Sequence, residues 1–278
     1  MSFTWYSQDE PEKVPLRFKN WIRILCKGLP VVLVMITGFV LLLCLRLIER
    51  PVCGQRRPVS PYVTQGVCRL ILMLLGIRYE TRGQPMNKPG GMVANHASWL
   101  DIFTLNAGAR VYFVSKSEVA VWPVIGVLAR AVGTVFIARD PKQVKAQNEV
   151  FKSRLLSGHK LLFFPEGTST DGLRVLPFKS TLFQAFFADN LREKTYIQPV
   201  TVTYYAPDGQ DDRFYGWWGD MDFGGHMLRV MGSASRGSAK VVYHQPVEVS
   251  NFSGRKDLAQ HVGRIVLSGM PENRQLSE

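Results

Sequence analysis

The sequence predicts an α/β domain with a mixed, largely parallel sheet flanked by helices, preceded by an N-terminal membrane-anchoring helical segment. Three observations predict it. Residues Gly28 to Leu45 (GLPVVLVMITGFVLLLCL) run eighteen positions without a charge, the length at which a membrane-inserted helix becomes a candidate. From Arg78 onward, short β-rich runs alternate with helical stretches, the pattern of a parallel or mixed sheet covered by helices. With 278 residues, 46% of them apolar and 20% charged, the chain is long enough to bury a sizeable core and too apolar for intrinsic disorder.

Residues 1–77 read as the anchoring region. The apolar helix 28–45 is bracketed by Lys27 and Arg46, with Lys13, Arg17, Lys19 and Arg23 before it and Arg50, Arg56 and Arg57 after it. Positive charge on both sides gives no orientation to a simple span. It suits a re-entrant or monotopic anchor whose two ends face the same anionic surface. A second, amphipathic helix at about 62–77 contains VCRLILMLLGI, too short to span, and serves equally as a companion in the interface or a core helix. All four cysteines, Cys26, Cys44, Cys53 and Cys68, fall in this region without CxxC spacing or clustered His, so neither a disulfide framework nor a metal site is expected.

Residues 78–270 read as the α/β domain, with a tail at 271–278. Strands are expected at Gly90 to Asn95, Val111 to Lys116, Thr134 to Arg139, Lys160 to Glu166, Tyr196 to Tyr205 and Ala239 to Val249. Helices are expected at Ser98 to Ala107, Pro123 to Ala131, Pro141 to Leu156, Lys179 to Asp189 and Arg255 to Leu267. Residues 206–237 (including FYGWWGDMDFGGHM) are rich in Gly, Asp and Trp. They form an excursion that is either a structural insertion or a lid or acceptor-recognition element.

Three clusters carry the chemistry. The first, Asn95-His96-Ala97-Ser98-Trp99-Leu100-Asp101, lies where a strand ends and a helix begins. His96 and Asp101 would lie about 140° apart on one continuous helix. With His96 in the loop and Asp101 in the first turn, the carboxylate folds back onto the imidazole, fixing its tautomer while the other ring nitrogen takes a proton. Ser98 as helix cap and Asp101 near the helix dipole account for those two residues without chemistry, but leave His96 unexplained. The second cluster is FPEGTSTDG at the end of the most apolar strand, where ligands bind open α/β sheets; an ordinary loop is its bland account. The third is a strand ending in Arg139, whose guanidinium either holds an anion or is simply solvated.

Taken in order, HxxxxD after a strand, a strand ending in Arg, FPEGT, and IQPVTV (Ile197 to Val202) resemble the four motif blocks of the glycerolipid acyltransferases typified by 1-acylglycerol-3-phosphate acyltransferase. The resemblance covers roughly Arg78 to Tyr205. It implies that His96 and Asp101 are catalytic and that Arg139, Glu166, Gly167 and Thr168 bind the acceptor, with Lys179 in LPFKS adding an anion contact; no metal and no cofactor are expected. Within that family the chain is most similar to the bacterial lyso-ornithine lipid O-acyltransferases, through SWLDI after the histidine, FPEGTSTDG followed by RVLPFKSTLF, and WWGDMDFGGHM.

The expected function is therefore transfer of an acyl chain from acyl-carrier protein or acyl-CoA to a lysolipid hydroxyl, giving ornithine lipid from its lyso form. The alternative acceptor is 1-acyl-sn-glycerol-3-phosphate, giving phosphatidic acid. The expected location is the cytoplasmic face of the bacterial inner membrane. Ser98 lacks the GxSxG elbow of a serine nucleophile, and nothing resembles HExxH. A formal charge of +12 also raises the possibility of nucleic-acid binding, but residues 1–78 hold eleven Lys and Arg against four Asp and Glu. The excess gathers around the apolar helix and reads as adhesion to an anionic membrane surface rather than to nucleic acid. An inactive membrane-anchored lipid-binding protein would share every feature except the need for His96 beside Asp101.

Overall fold

The computed structural model describes residues 4–7, 15–138 and 144–275. Helix α1 (Phe18–Cys53) is one unbroken helix of 36 residues, about 54 Å long at 1.5 Å per residue. The uncharged stretch therefore does not turn back on itself. The helix continues through its charged flanks because several polar residues there find partners inside the protein. Lys27 Nζ donates to the carbonyls of Leu75 at 3.3 Å and Ser233 at 3.0 Å, at the C-terminal ends of α2 (Ser60–Leu75) and α7 (Phe223–Gly232). Unpaired carbonyls at a helix C-terminus attract a cation. Asn20 Nδ2 adds a bond to the Gly232 carbonyl at 3.0 Å. Near the other end, buried Glu49 accepts the backbone N–H groups of Val59 and Ser60 at 2.7 and 2.9 Å and pairs with Arg46 at 3.1 Å. It thus caps α2, whose own cap residue Val59 offers no side-chain acceptor.

Between these ties, α1 and α2 pack closely at Gly38, where a Cβ would come 2.3 Å from Val67 Cγ2. Val31 and Leu42 are buried on the same side. The opposite side of α1 carries Phe18, Ile22, Leu25, Leu29, Leu33, Ile36, Val40, Leu43 and Leu47, all exposed and spaced three or four apart, which makes one continuous apolar stripe.

The sheet has eight strands: β1 (Arg78–Arg82), β2 (Gly90–Ala94), β3 (Tyr112–Lys116), β4 (Val135–Ile137), β5 (Leu161–Phe163), β6 (Tyr196–Tyr205), β7 (Ser238–Tyr243) and β8 (Val247–Glu248). Their order is β1-β7-β6-β2-β5-β3-β4, with β8 beside β6. From β6 to β4 all neighbours are parallel; β7 and β8 run antiparallel to β6, and β1 runs parallel to β7. This is the mixed, largely parallel sheet that the alternation predicts. The central strand β2 is buried throughout, and its side chains divide between two apolar clusters. One contains Met92 and Ala94 with α2, α3 (Asp101–Gly108) and α7; the other contains Val93 with Phe151, Phe183 and α8 (Arg255–Ser268).

Several boundaries differ from the sequence reading. β1 was not expected, because RYETR is charged and mostly exposed; it is held at the sheet edge by pairing with β7. The run Ala239 to Val249 breaks into β7 and β8 at Pro246, which has no N–H to give to the ladder. Lys179 to Asp189 forms a 3-10 stretch, Thr181–Phe187, in place of an α-helix. Helix α4 (Ile125–Val132) begins two residues later than expected, and helix α5 is described over Val144–Leu156, the first residues of its expected range lying outside the described residues. A short helix α6 (Asp189–Arg192) precedes β6.

Candidate active site

Parallel strands bring their carboxyl ends to one edge, the usual ligand-binding edge of such sheets. His96 follows β2, Glu166 follows the neighbouring β5, and Lys116 ends β3. Helix α3 begins at Asp101 with no side-chain cap. The expectation that Ser98 caps this helix is therefore corrected: Ser98 is fully buried, and its Oγ accepts only the Leu100 N–H, at 3.2 Å. That burial also removes it as a nucleophile.

His96 Nδ1 lies 2.6 Å from Asp101 Oδ2. The same oxygen accepts the backbone N–H groups of Ala97 at 2.9 Å and Ser98 at 3.1 Å, while Oδ1 accepts the Tyr204 hydroxyl at 2.7 Å. Asp101 is wholly buried, and a buried carboxylate survives where donors surround it. Tyr204, fully buried and touching Thr104 Oγ1 at 3.0 Å, keeps its proton: burial, then the Asp101 charge, push its pKa well above the usual phenol value. The carboxylate requires Nδ1 to carry the imidazole hydrogen, which leaves Nε2 with a lone pair. Nε2 has no hydrogen bond among the described residues, and the side chain is 23% exposed.

The backbone of His96 is also fixed. Its N–H donates to Glu166 Oε1 at 2.7 Å, and its carbonyl accepts the Thr170 N–H at 2.9 Å. Phe164 stacks on the imidazole with centroids 4.1 Å apart and planes 12° from parallel. Glu166, 1% exposed, spends its other oxygen on the Leu176 N–H at 3.0 Å. Its carboxylate thus lies between the His96 loop and the 166–176 loop. Gly167 has a φ of +73°, and Lys179 Nζ would lie 3.1 Å from a Cβ placed there, so the glycine is what lets the ammonium approach this turn. Thr168 Oγ1 accepts the Trp5 N–H at 3.2 Å. Arg139 lies outside the described residues. Among the described residues no group of His, Cys, Asp and Glu could hold a metal ion.

Several supporting residues are not visible in the local sequence. Asn95 bridges β2 to β6, donating to the Val202 carbonyl at 2.9 Å and accepting its N–H at 2.8 Å. The excursion contributes Trp217 N–H to the Ala97 carbonyl at 2.8 Å and His226 to Trp99. Trp99 Nε1, which can only donate, lies 2.8 Å from His226 Nδ1, so Nε2 carries the hydrogen and faces the Phe214 carbonyl at 3.2 Å. Burial, followed by the Arg229 charge, pushes the His226 pKa down to about 4.

An unfolded chain protonates this histidine near pH 6.5, whereas the folded chain waits until about pH 4. The unfolded state then binds more protons across this window, so stability is full above pH 6.5 and declines as the pH falls toward 4. The expected loss is on the order of 3 kcal/mol for this one group. Melting temperatures of the wild type and His226→Gln, measured between pH 7 and 4, check it; the variant is expected to be less stable at neutral pH but flatter with pH. Equal slopes would show that His226 does not stay neutral.

The family model described as Acyltransferase matches residues 77–203. The chain is 53% identical over 266 residues to a protein of Rhodobacter capsulatus named lyso-ornithine lipid O-acyltransferase, covering 96% of each. It is 32% identical over 259 residues to the protein of the same name from Rhizobium meliloti, covering 89% of this chain and 85% of that one. Among solved structures, the crystal structure of the 1-acyl-sn-glycerophosphate (LPA) acyltransferase PlsC from Thermotoga maritima superposes with a TM-score of 0.57 at 19% identity, over 87% of this chain and 95% of that one. At that identity the likeness is one of fold.

Proposed function

The chain belongs to the acyltransferase family, and from that premise we propose that it acylates the free hydroxyl of lyso-ornithine lipid, with His96 as general base and Asp101 as the carboxylate that orients it. The reading rests on one observation above the others, the buried Asp101 held 2.6 Å from His96 Nδ1 with Nε2 left open. Nε2 takes the proton of the acceptor hydroxyl as its oxygen attacks the thioester carbonyl of acyl-carrier protein or acyl-CoA. The tetrahedral intermediate collapses with cleavage of the C–S bond, and the imidazolium returns the proton to the departing thiolate. Asp101 stabilises the imidazolium between these two steps. General-base help of this kind contributes about 10² to 10⁴ in rate.

Glu166 acts by positioning: with its oxygens on the N–H groups of His96 and Leu176, it holds the base against the acceptor loop. Thr168, Gly167 and Lys179 form the acceptor side of the site, and Arg139 is the further anion contact that the family resemblance implies. The exposed stripe of α1 lies in the membrane along its length. Its other side is bonded to α2 and α7, which argues against passage through the bilayer and for a helix resting in one leaflet. The catalytic domain then faces the cytoplasm, where the thioester donors are available, on the inner membrane.

The test is an acceptor comparison. Purified protein with an acyl thioester and either lyso-ornithine lipid or 1-acyl-sn-glycerol-3-phosphate is followed by mass spectrometry for the diacyl product. Ornithine lipid is expected to form at the higher kcat/KM. Exclusive formation of phosphatidic acid would overturn the acceptor assignment, and no product from either would overturn the enzyme reading.

A further inference from the structure

Residues Thr4 to Ser7 form a strap that returns to the acceptor side of the cleft. Trp5 donates its N–H to Thr168 Oγ1 and is 8% exposed, packed with Leu176 and Trp218. Its ring lies 6.5 Å from that of Trp218 and under the Arg174 guanidinium at 4.9 Å. The Tyr6 hydroxyl donates to the Asp220 carboxylate at 3.1 Å. Between this strap and the loop after Thr170 lies a cavity of about 470 Å³, whose lining includes Trp5, Tyr6, Asp171, Leu173, Arg174 and Arg213. Its wall is tied to the His96 loop through Asp171, which follows Thr170, the residue whose N–H donates to the His96 carbonyl.

Both arginines that line the cavity are paired with carboxylates. Arg174 pairs with buried Asp171 at 3.1 Å, and Arg213 pairs with Asp211 at 2.9 Å. Two cations each matched by a carboxylate suit a net-neutral ligand poorly served by a site built for a phosphate monoester dianion, which needs unmatched positive charge. An α-amino-acid headgroup acylated on one nitrogen carries one carboxylate and one ammonium. Arg174 spends Nε and Nη2 on Asp171, which leaves Nη1 to donate to the carboxylate, while the exposed Tyr6 ring offers its face to the ammonium.

We propose that this cavity is the subsite for the zwitterionic amino-acid headgroup of the acceptor, with Arg174 as its carboxylate anchor and the strap Thr4 to Ser7 as its outer wall. It rests on the acceptor reading above and gives that reading a physical basis. The experiment uses the full chain, reconstituted in phosphatidylcholine vesicles, with wild type, Arg174→Gln and Tyr6→Ala assayed on lyso-ornithine lipid and on lysophosphatidate. Arg174→Gln is expected to raise KM for lyso-ornithine lipid about ten- to a hundredfold, the worth of a charge-assisted hydrogen bond. Tyr6→Ala is expected to raise it several-fold. Neither should move KM for the thioester donor or for lysophosphatidate by more than about twofold.

An unchanged acceptor KM in both variants, beside an active wild type, overturns the subsite and leaves the acceptor reading standing. Equal losses on both acceptors and on the donor, in either variant, overturn the subsite. A wild type that acylates only lysophosphatidate overturns both readings.

Discussion

Replacing His96 with alanine is expected to lower kcat for acyl transfer by about 10² to 10⁴, with the melting temperature within a few degrees of wild type. The kinetic loss follows from removing an imidazole whose lone pair, at Nε2, stands partly exposed at the carboxyl edge of the sheet. The small structural cost follows because the backbone bonds of residue 96, to Glu166 and Thr170, do not involve the imidazole. Initial rates of diacyl product formation, paired with thermal unfolding, separate the two effects. Wild-type turnover by the variant would remove the general-base mechanism altogether.

The second large effect is expected from Asp101→Asn, about 10² to 10³ in kcat. The two N–H groups of Ala97 and Ser98 converge on Oδ2, so an asparagine must place its carbonyl oxygen there. His96 keeps its tautomer, and the amide nitrogen meets the Tyr204 hydroxyl, which turns to accept. What is lost is the negative charge that stabilises the imidazolium. Asp101→Ala differs in kind: it strands the N–H groups of Ala97 and Ser98, the imidazole N–H and the Tyr204 hydroxyl in a dry site. Each unsatisfied group costs about 1 to 3 kcal/mol, so that variant is expected to be both inactive and measurably unstable. An asparagine variant with near wild-type kcat would refute the role given to Asp101.

The alternation of strands and helices made the α/β sheet legible, because it reflects the burial of β2, β5 and β6 between two helical layers. The pairing of His96 with Asp101 is legible because a cap and dipole account covers Ser98 and Asp101 but leaves His96 without a structural reason. The residues that hold them were not. Tyr204 meets Asp101 across 103 positions, Asn95 meets Val202 across 107, Trp99 meets His226 across 127, and Trp5 meets Thr168 across 163. Such partners leave no local pattern, since only the closure of the sheet and the return of the strap bring them together.

The uncharged run alone predicts a helix half as long as α1. Its polar flanks looked like headgroup contacts, but Lys27, Arg46 and Glu49 are engaged within the protein. The aromatic excursion stands out by its Gly, Asp and Trp content. Its contacts with Ala97 and Trp99 could not be derived without the fold.

The tie between Lys27 and the end of α7 has a practical consequence for isolating the protein. Helix α1 grips Ser233 and Gly232, α7 carries the His226 that receives the Trp99 indole, and Trp99 stands three residues from His96. A solubilising amphiphile therefore touches a helix only two bonded contacts away from the reacting imidazole. A small, sharply curved micelle that bends or peels this helix strains the loop bearing the base, whereas a flat nanodisc leaves it seated. Specific activity should then depend on the host aggregate as much as on the purity of the preparation.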